Sequence, residues 1–116
     1  MSINSIIKVL LNHNELNIVK HGEEFMIATD KVIKQNDDVF SVYIIKDIDD
    51  KCYMIDRAFI SIYAYDNDKT SKQIKQCVQK NELIIDGNMI VCEVNNSNVD
   101  EILQRFISLA NDLDIV

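Results

Sequence analysis

Apolar residues recur along this chain in two periods, one of three to four residues and one of two, and the alternation between them sets out the elements. Ile3, Ile6, Ile7, Leu10 and Leu11 repeat at three and four residues, which predicts an amphipathic helix over about 2–12 with Ser2 as its N-cap. Leu16, Ile18 and Val19 predict a short strand closed by the turn at His21-Gly22. Phe25, Ile27 and Thr29 alternate with Met26, Ala28 and Asp30, the period of a strand. After a turn at Asn36-Asp37-Asp38, Val39 to Lys46 reads as the next strand, and the tight connection Ile48 to Lys51 leads into Cys52-Tyr53-Met54-Ile55. Loops this short cannot carry a parallel crossover, so these strands should form an antiparallel meander.

The segment 57–65 fits either a strand or a short buried helix, and helix or irregular structure is the preferred reading. Thr70-Ser71-Lys72-Gln73 has the form of a capping box and opens a helix to about Lys80, with Ile74, Cys77 and Val78 inward. Leu83-Ile84-Ile85 and Met89-Ile90-Val91-Cys92 flank Asp86-Gly87, a preferred pair where both turn residues need positive φ. Ser97 then opens a last helix, with Val99, Ile102, Leu103, Phe106, Ile107, Ala110 and Leu113 on one stripe. The expected architecture is one α+β domain over 1–116, in the order α-β-β-β-β-α-β-β-α. An antiparallel sheet of about five strands would carry the first and last helices on one face and the middle helix at an edge.

With 47% hydrophobic residues in 116, the chain has ample material for a core, and disorder is excluded. Two glycines and no proline leave no room for Gly-rich phosphate loops or Pro-rich linkers. The net charge of −7 is concentrated at the predicted turns: Asp37-Asp38, Asp47 with Asp49-Asp50, Asp66 with Asp68, and Asp112 with Asp114. Turn chemistry accounts for much of this, because Asp and Asn satisfy their own turn backbones. The sharper reading is a negative face aimed at a basic partner. Direct binding to nucleic acid is disfavoured under both. Cys52, Cys77 and Cys92 lack metal-ligand spacing and read as buried free thiols of a reducing compartment. The N-terminus lacks the basic patch of a secretion signal, and no apolar run reaches membrane-spanning length, so a cytoplasmic protein without membrane contact is expected.

No motif carries chemistry. His13 ends a helix and His21 precedes a glycine turn, with no nucleophile pattern beside either. Asp47, Asp49 and Asp50 are of a type that holds hard cations, but no metal-site pattern surrounds them. Asp66-Asn67-Asp68 begins like a calcium loop, yet Ser71 and Cys77 stand where that loop requires Gly and Glu. The serines lack a nucleophile-elbow setting. Tyr43, Tyr53, Tyr63 and Tyr65 could form a stacking platform, but such platforms lie in basic grooves and these turns are acidic. Lys69, Lys72, Lys75 and Lys80 give the middle helix a basic solvated face. No catalytic residue, metal or cofactor is therefore expected.

The runs Val39 to Ile45, Cys52 to Asp56, Gln73 to Cys77 and the hairpin-helix from Glu82 resemble, over roughly 39–112, a bacterial and phage domain family of unknown function. Asp56 matches that family's aspartate turn, while Arg57 and Ala58 replace its acidic-glycine pair. The resemblance implies a phage or mobile-element setting and no particular activity. The element order is also similar to that of class I secretion chaperones, homodimers that wrap an unfolded effector segment. Two function classes follow as expectations. The first is a non-enzymatic module that inhibits a host nucleic-acid-binding or defence nuclease complex, in an anti-CRISPR-like manner. It would use an acidic surface of Asp37, Asp38, Asp47, Asp49 and Asp50, with Asp66 and Asp68 second, against a protein with a basic surface. The alternative is a homodimeric chaperone that binds through apolar grooves.

Overall fold

A computed structural model describes residues 2–116. The elements follow in the order α1 (Ile3–Leu10), β1 (Asn17–His21), β2 (Glu24–Val32), β3 (Val39–Lys46), β4 (Cys52–Ile55), α2 (Phe59–Asp66), α3 (Ser71–Lys80), β5 (Ile84–Asp86), β6 (Met89–Val94) and α4 (Val99–Asp112). The strands form one antiparallel sheet of six, in the spatial order β1-β2-β3-β4-β6-β5, rather than about five. Segment 57–65 resolves as helix α2, so two helices stand between β4 and β5.

Period-two alternation sends Phe25, Ile27, Phe40, Val42, Ile44, Met54 and Ile90 to one face of the sheet, where α1 and α4 cover them. The α4 stripe supplies Val99, Ile102, Leu103, Phe106 and Ala110, all buried. α3 packs beside β5 at the sheet edge and inserts Ile74 and Val78.

Local signals explain most boundaries. Ser2 caps α1 by accepting from the Ser5 amide, and Thr70 and Gln73 form the reciprocal capping box of α3. Two turn details differ from the sequence reading. In the last hairpin Asp86 pairs with Met89, so the turn residues are Gly87 and Asn88, and only Gly87 has positive φ. A glycine first and an unstrained second residue match the type II′ pattern. At α4 the cap is Asn98 rather than Ser97. The Asn95 side chain accepts from the Ser97 and Asn98 amides, and the Asn98 side chain accepts from the Asn95 amide, so the asparagines out-compete the serine.

Candidate protein-binding face

The strand registers define the second face of the sheet, opposite the one that α1 and α4 cover, with Phe59 and Tyr63 of α2 at its border beside Val39 and Tyr43. Val19 lies opposite Met26, Met26 opposite Tyr43, Tyr43 opposite Ile55, Ile55 opposite Val91, and Val91 opposite Ile84. Since cross-strand partners point to the same side, these residues form an unbroken apolar row across all six strands. At about 4.8 Å per strand the row is roughly 24 Å long. Its ends, Val19 and Ile84, are 40% and 62% exposed, Met26, Tyr43 and Val91 are half-buried, and Ile55 at its centre is buried. Ile45 and Tyr53 extend it on one side, Ala28 and Met89 on the other. Polar groups occupy the corners: His21 and Glu24, Glu93, Asn17 and Asp86. A solvated antiparallel face normally alternates to polar residues. An apolar centre with a polar border is the anatomy of a protein interface.

The segment after β4 shapes the middle of this face. Asp56 is fully buried. Its Oδ1 accepts from the Ala58 amide at 2.9 Å and the Ile90 amide at 2.8 Å, and its Oδ2 accepts from the Ile60 amide at 3.1 Å. One carboxylate thus starts α2 and ties it to β6. Burial pushes its pKa up, and the three amide bonds offset this only in part. Arg57 and Ala58 both take left-handed φ, 59° and 73°. The turn is therefore kept without a glycine, and Arg57 is thrown back over the outer face. Its guanidinium lies 4.2 Å from the centre of the Tyr43 ring and ion-pairs with Glu24.

The predicted acidic residues fall into separate groups. Asp37 and Asp38 precede β3, and Asp47, Asp49 and Asp50 follow it, so the strand holds the two sets roughly 30 Å apart. They do not merge into one acidic face; they bracket the apolar row from opposite ends of its central strand. Asp38 borders the outer face beside Val39 and Tyr43. At the other end Tyr53 has its pKa pushed up by loss of water and by the charges of Asp47 and Glu93. Between Asp47 and Asp49, Ile48 is 97% exposed, an apolar tip on an acidic loop. Asp66 and Asp68 lie past the sheet at the end of α2, where Asn67 donates to the Asp114 carbonyl and Lys69 pairs with Asp114. Turn chemistry accounts for several of these acids: Asp37, Asp50 and Asp68 take positive φ, and Asp47 Oδ1 accepts from the Asp49 and Lys51 amides.

His13 has a structural setting as well. Its Nε2 lies 2.7 Å from Asp100 and its Nδ1 3.4 Å from Glu15, linking the end of α1 to the first turn of α4. A 450 Å³ cleft opens beside it, floored by Leu16, Leu103 and Ile107. Both imidazole nitrogens face carboxylates. Among the described residues no group of three or more His, Cys, Asp or Glu could hold a metal ion. No helix of the described residues is long and apolar enough to cross a membrane. Comparison with protein-family models, curated proteins and solved structures returns no match.

The row itself was missed by sequence reasoning. Its signal was β3, whose run Val39-Phe40-Ser41-Val42-Tyr43-Ile44-Ile45 is apolar on both faces and so demands cover on both.

Proposed function

We propose that this chain is a non-enzymatic protein-binding module that docks through the outer face of its sheet. The apolar row carries this reading, because apolar side chains with exposed ends and half-buried members around a buried centre, on a face that α1 and α4 leave open, mark a contact surface. The acids at both ends of β3 specify the partner: an apolar contact bordered on two sides by basic groups. Basic surfaces are characteristic of nucleic-acid-binding proteins. With the resemblance to a phage domain family, the concrete form of the proposal is an anti-CRISPR-like inhibitor that sits on the basic surface of a host nucleic-acid-binding or defence nuclease complex. The apolar row supplies adhesion, and the acids supply steering and specificity.

The same row also supports the homodimeric chaperone reading, since an apolar stripe is self-complementary under a two-fold axis. Charge weighs against it: two copies would bring acidic strand ends towards each other, at −7 per chain.

Photo-crosslinking tests the proposal. A crosslinking residue at Met26 or Val91 in host lysate should capture one protein, more strongly at low salt, and the same residue at Lys75 on α3 should not. Capture only of a second copy would favour the chaperone. Equal capture from Lys75, or none from the row, would refute docking through this face.

A further inference from the structure

We infer that the slot where β4 stops short is the anchor pocket for an arginine side chain of the partner. The inference rests on the docking reading above and names one chemical element of that partner. β3 begins at Val39, but β4 pairs with it only from Tyr43 onward, opposite Ile55. The first half of β3 therefore has no strand beside it on that edge, and α2 stands there instead. The gap is a 240 Å³ cavity bounded by Asp38, Val39, Tyr43, Phe59 and Tyr63, among others.

Its walls are fixed. Phe59 packs edge-on against buried Phe40, with centroids 5.7 Å apart at 75°, and against Tyr63 at 6.0 Å and 70°. The Tyr63 hydroxyl accepts from Asn36 Nδ2 at 2.7 Å. Asp38 is held by its backbone: its amide donates to Asn36 Oδ1 at 2.9 Å, and its carbonyl accepts from the Ile33 amide at 2.7 Å. Among the described residues no cation lies within ion-pair distance of its carboxylate.

Aromatic walls with one unpaired carboxylate at the mouth select a particular side chain. The rings accept a methylene stem and a flat cation, and the carboxylate accepts the two parallel N–H groups of a guanidinium. Lysine carries a point charge that holds its water more tightly. An apolar side chain would fill the slot but leave Asp38 shielded from water and unpaired. The fold already shows this chemistry next door, where Arg57 stacks on Tyr43.

The test is amide and ring NMR of the full chain titrated with N-acetyl-arginine amide. Saturable shifts should centre on Val39, Ser41, Phe59 and Tyr63, with the lysine analogue about threefold weaker and the norleucine analogue weaker still. Asp38→Asn and Tyr63→Leu should each lower the arginine affinity about threefold, and Asp38 is exposed, so its variant keeps the fold. Equal binding of norleucine, shifts spread over the Asp47–Asp50 loop, or no saturation by about 50 mM would overturn the inference. Row crosslinking without arginine binding would remove the pocket and leave the docking face. Arginine binding without row crosslinking would do the reverse.

Discussion

Replacing Asp56 by alanine should remove more stability than any other substitution of a polar residue in this chain. Three amides, those of Ala58, Ile60 and Ile90, lose their acceptor together. Ala58 is half-buried and can take a water in exchange, but Ile60 and Ile90 are fully buried. Two orphaned buried donors cost about 1–3 kcal/mol each, and removing the start of α2 adds about 1 kcal/mol. Against this, alanine relieves the burial of a charge, which places the expected loss near 3 kcal/mol. That is a large share of the roughly 6–17 kcal/mol expected for a domain of this size. Asp56→Asn keeps the two Oδ1 bonds and sets an NH2 against the Ile60 amide, so it should cost about 1–2 kcal/mol. The raised pKa sets the direction with pH. Its contribution is fully present below the unfolded value and declines as pH rises through the folded one. The gap between wild type and Asp56→Asn should therefore widen as pH falls from 7 towards 4. Urea unfolding followed by far-UV circular dichroism, at fixed m, reads all three comparisons. An alanine loss below about 1 kcal/mol, or an asparagine variant as damaged as the alanine one, would refute the reasoning.

Two further expectations concern local structure. Thr70→Ala removes one half of the α3 capping box and should lower stability by about 1 kcal/mol, or Tm by about 4 °C in calorimetry. Cys52 is 4% exposed and burial pushes its thiol pKa up, so at pH 8 a thiol reagent should modify half-buried Cys77 first and reach Cys52 only on unfolding, as read by mass spectrometry.

How far the sequence revealed this molecule depended on the range of the interactions involved. The capping box at Thr70 and the helical stripe from Val99 to Leu113 rest on neighbours three or four residues apart, and both were legible. The α4 cap was not, because four consecutive residues, Asn95 to Ser97 and Asn98, offer competing side chains and only the turn geometry chooses among them. The outer-face row depends on β4 pairing with β6 across two intervening helices, so Ile55 and Val91 meet through a contact that no local period encodes. The acids were legible as turn residues. Their split into two groups follows from the length of β3, which became informative only once the strand lay flat between them. Asp56 could be matched to a turn, but its partners lie two, four and 34 residues away, and the last of these sets its role.

The binding kinetics of the crosslinked partner, measured for two variants, test the docking face most directly. Val91→Lys places a charge within the apolar row, beside its Ile84 end, and Asp47→Asn/Asp49→Asn/Asp50→Asn removes charge from one end of β3. Val91→Lys should speed dissociation by about a hundredfold while leaving association nearly unchanged. The triple variant should slow association and flatten its salt dependence, with little effect on dissociation. A Val91→Lys variant that stays folded and binds as tightly as wild type would contradict the account.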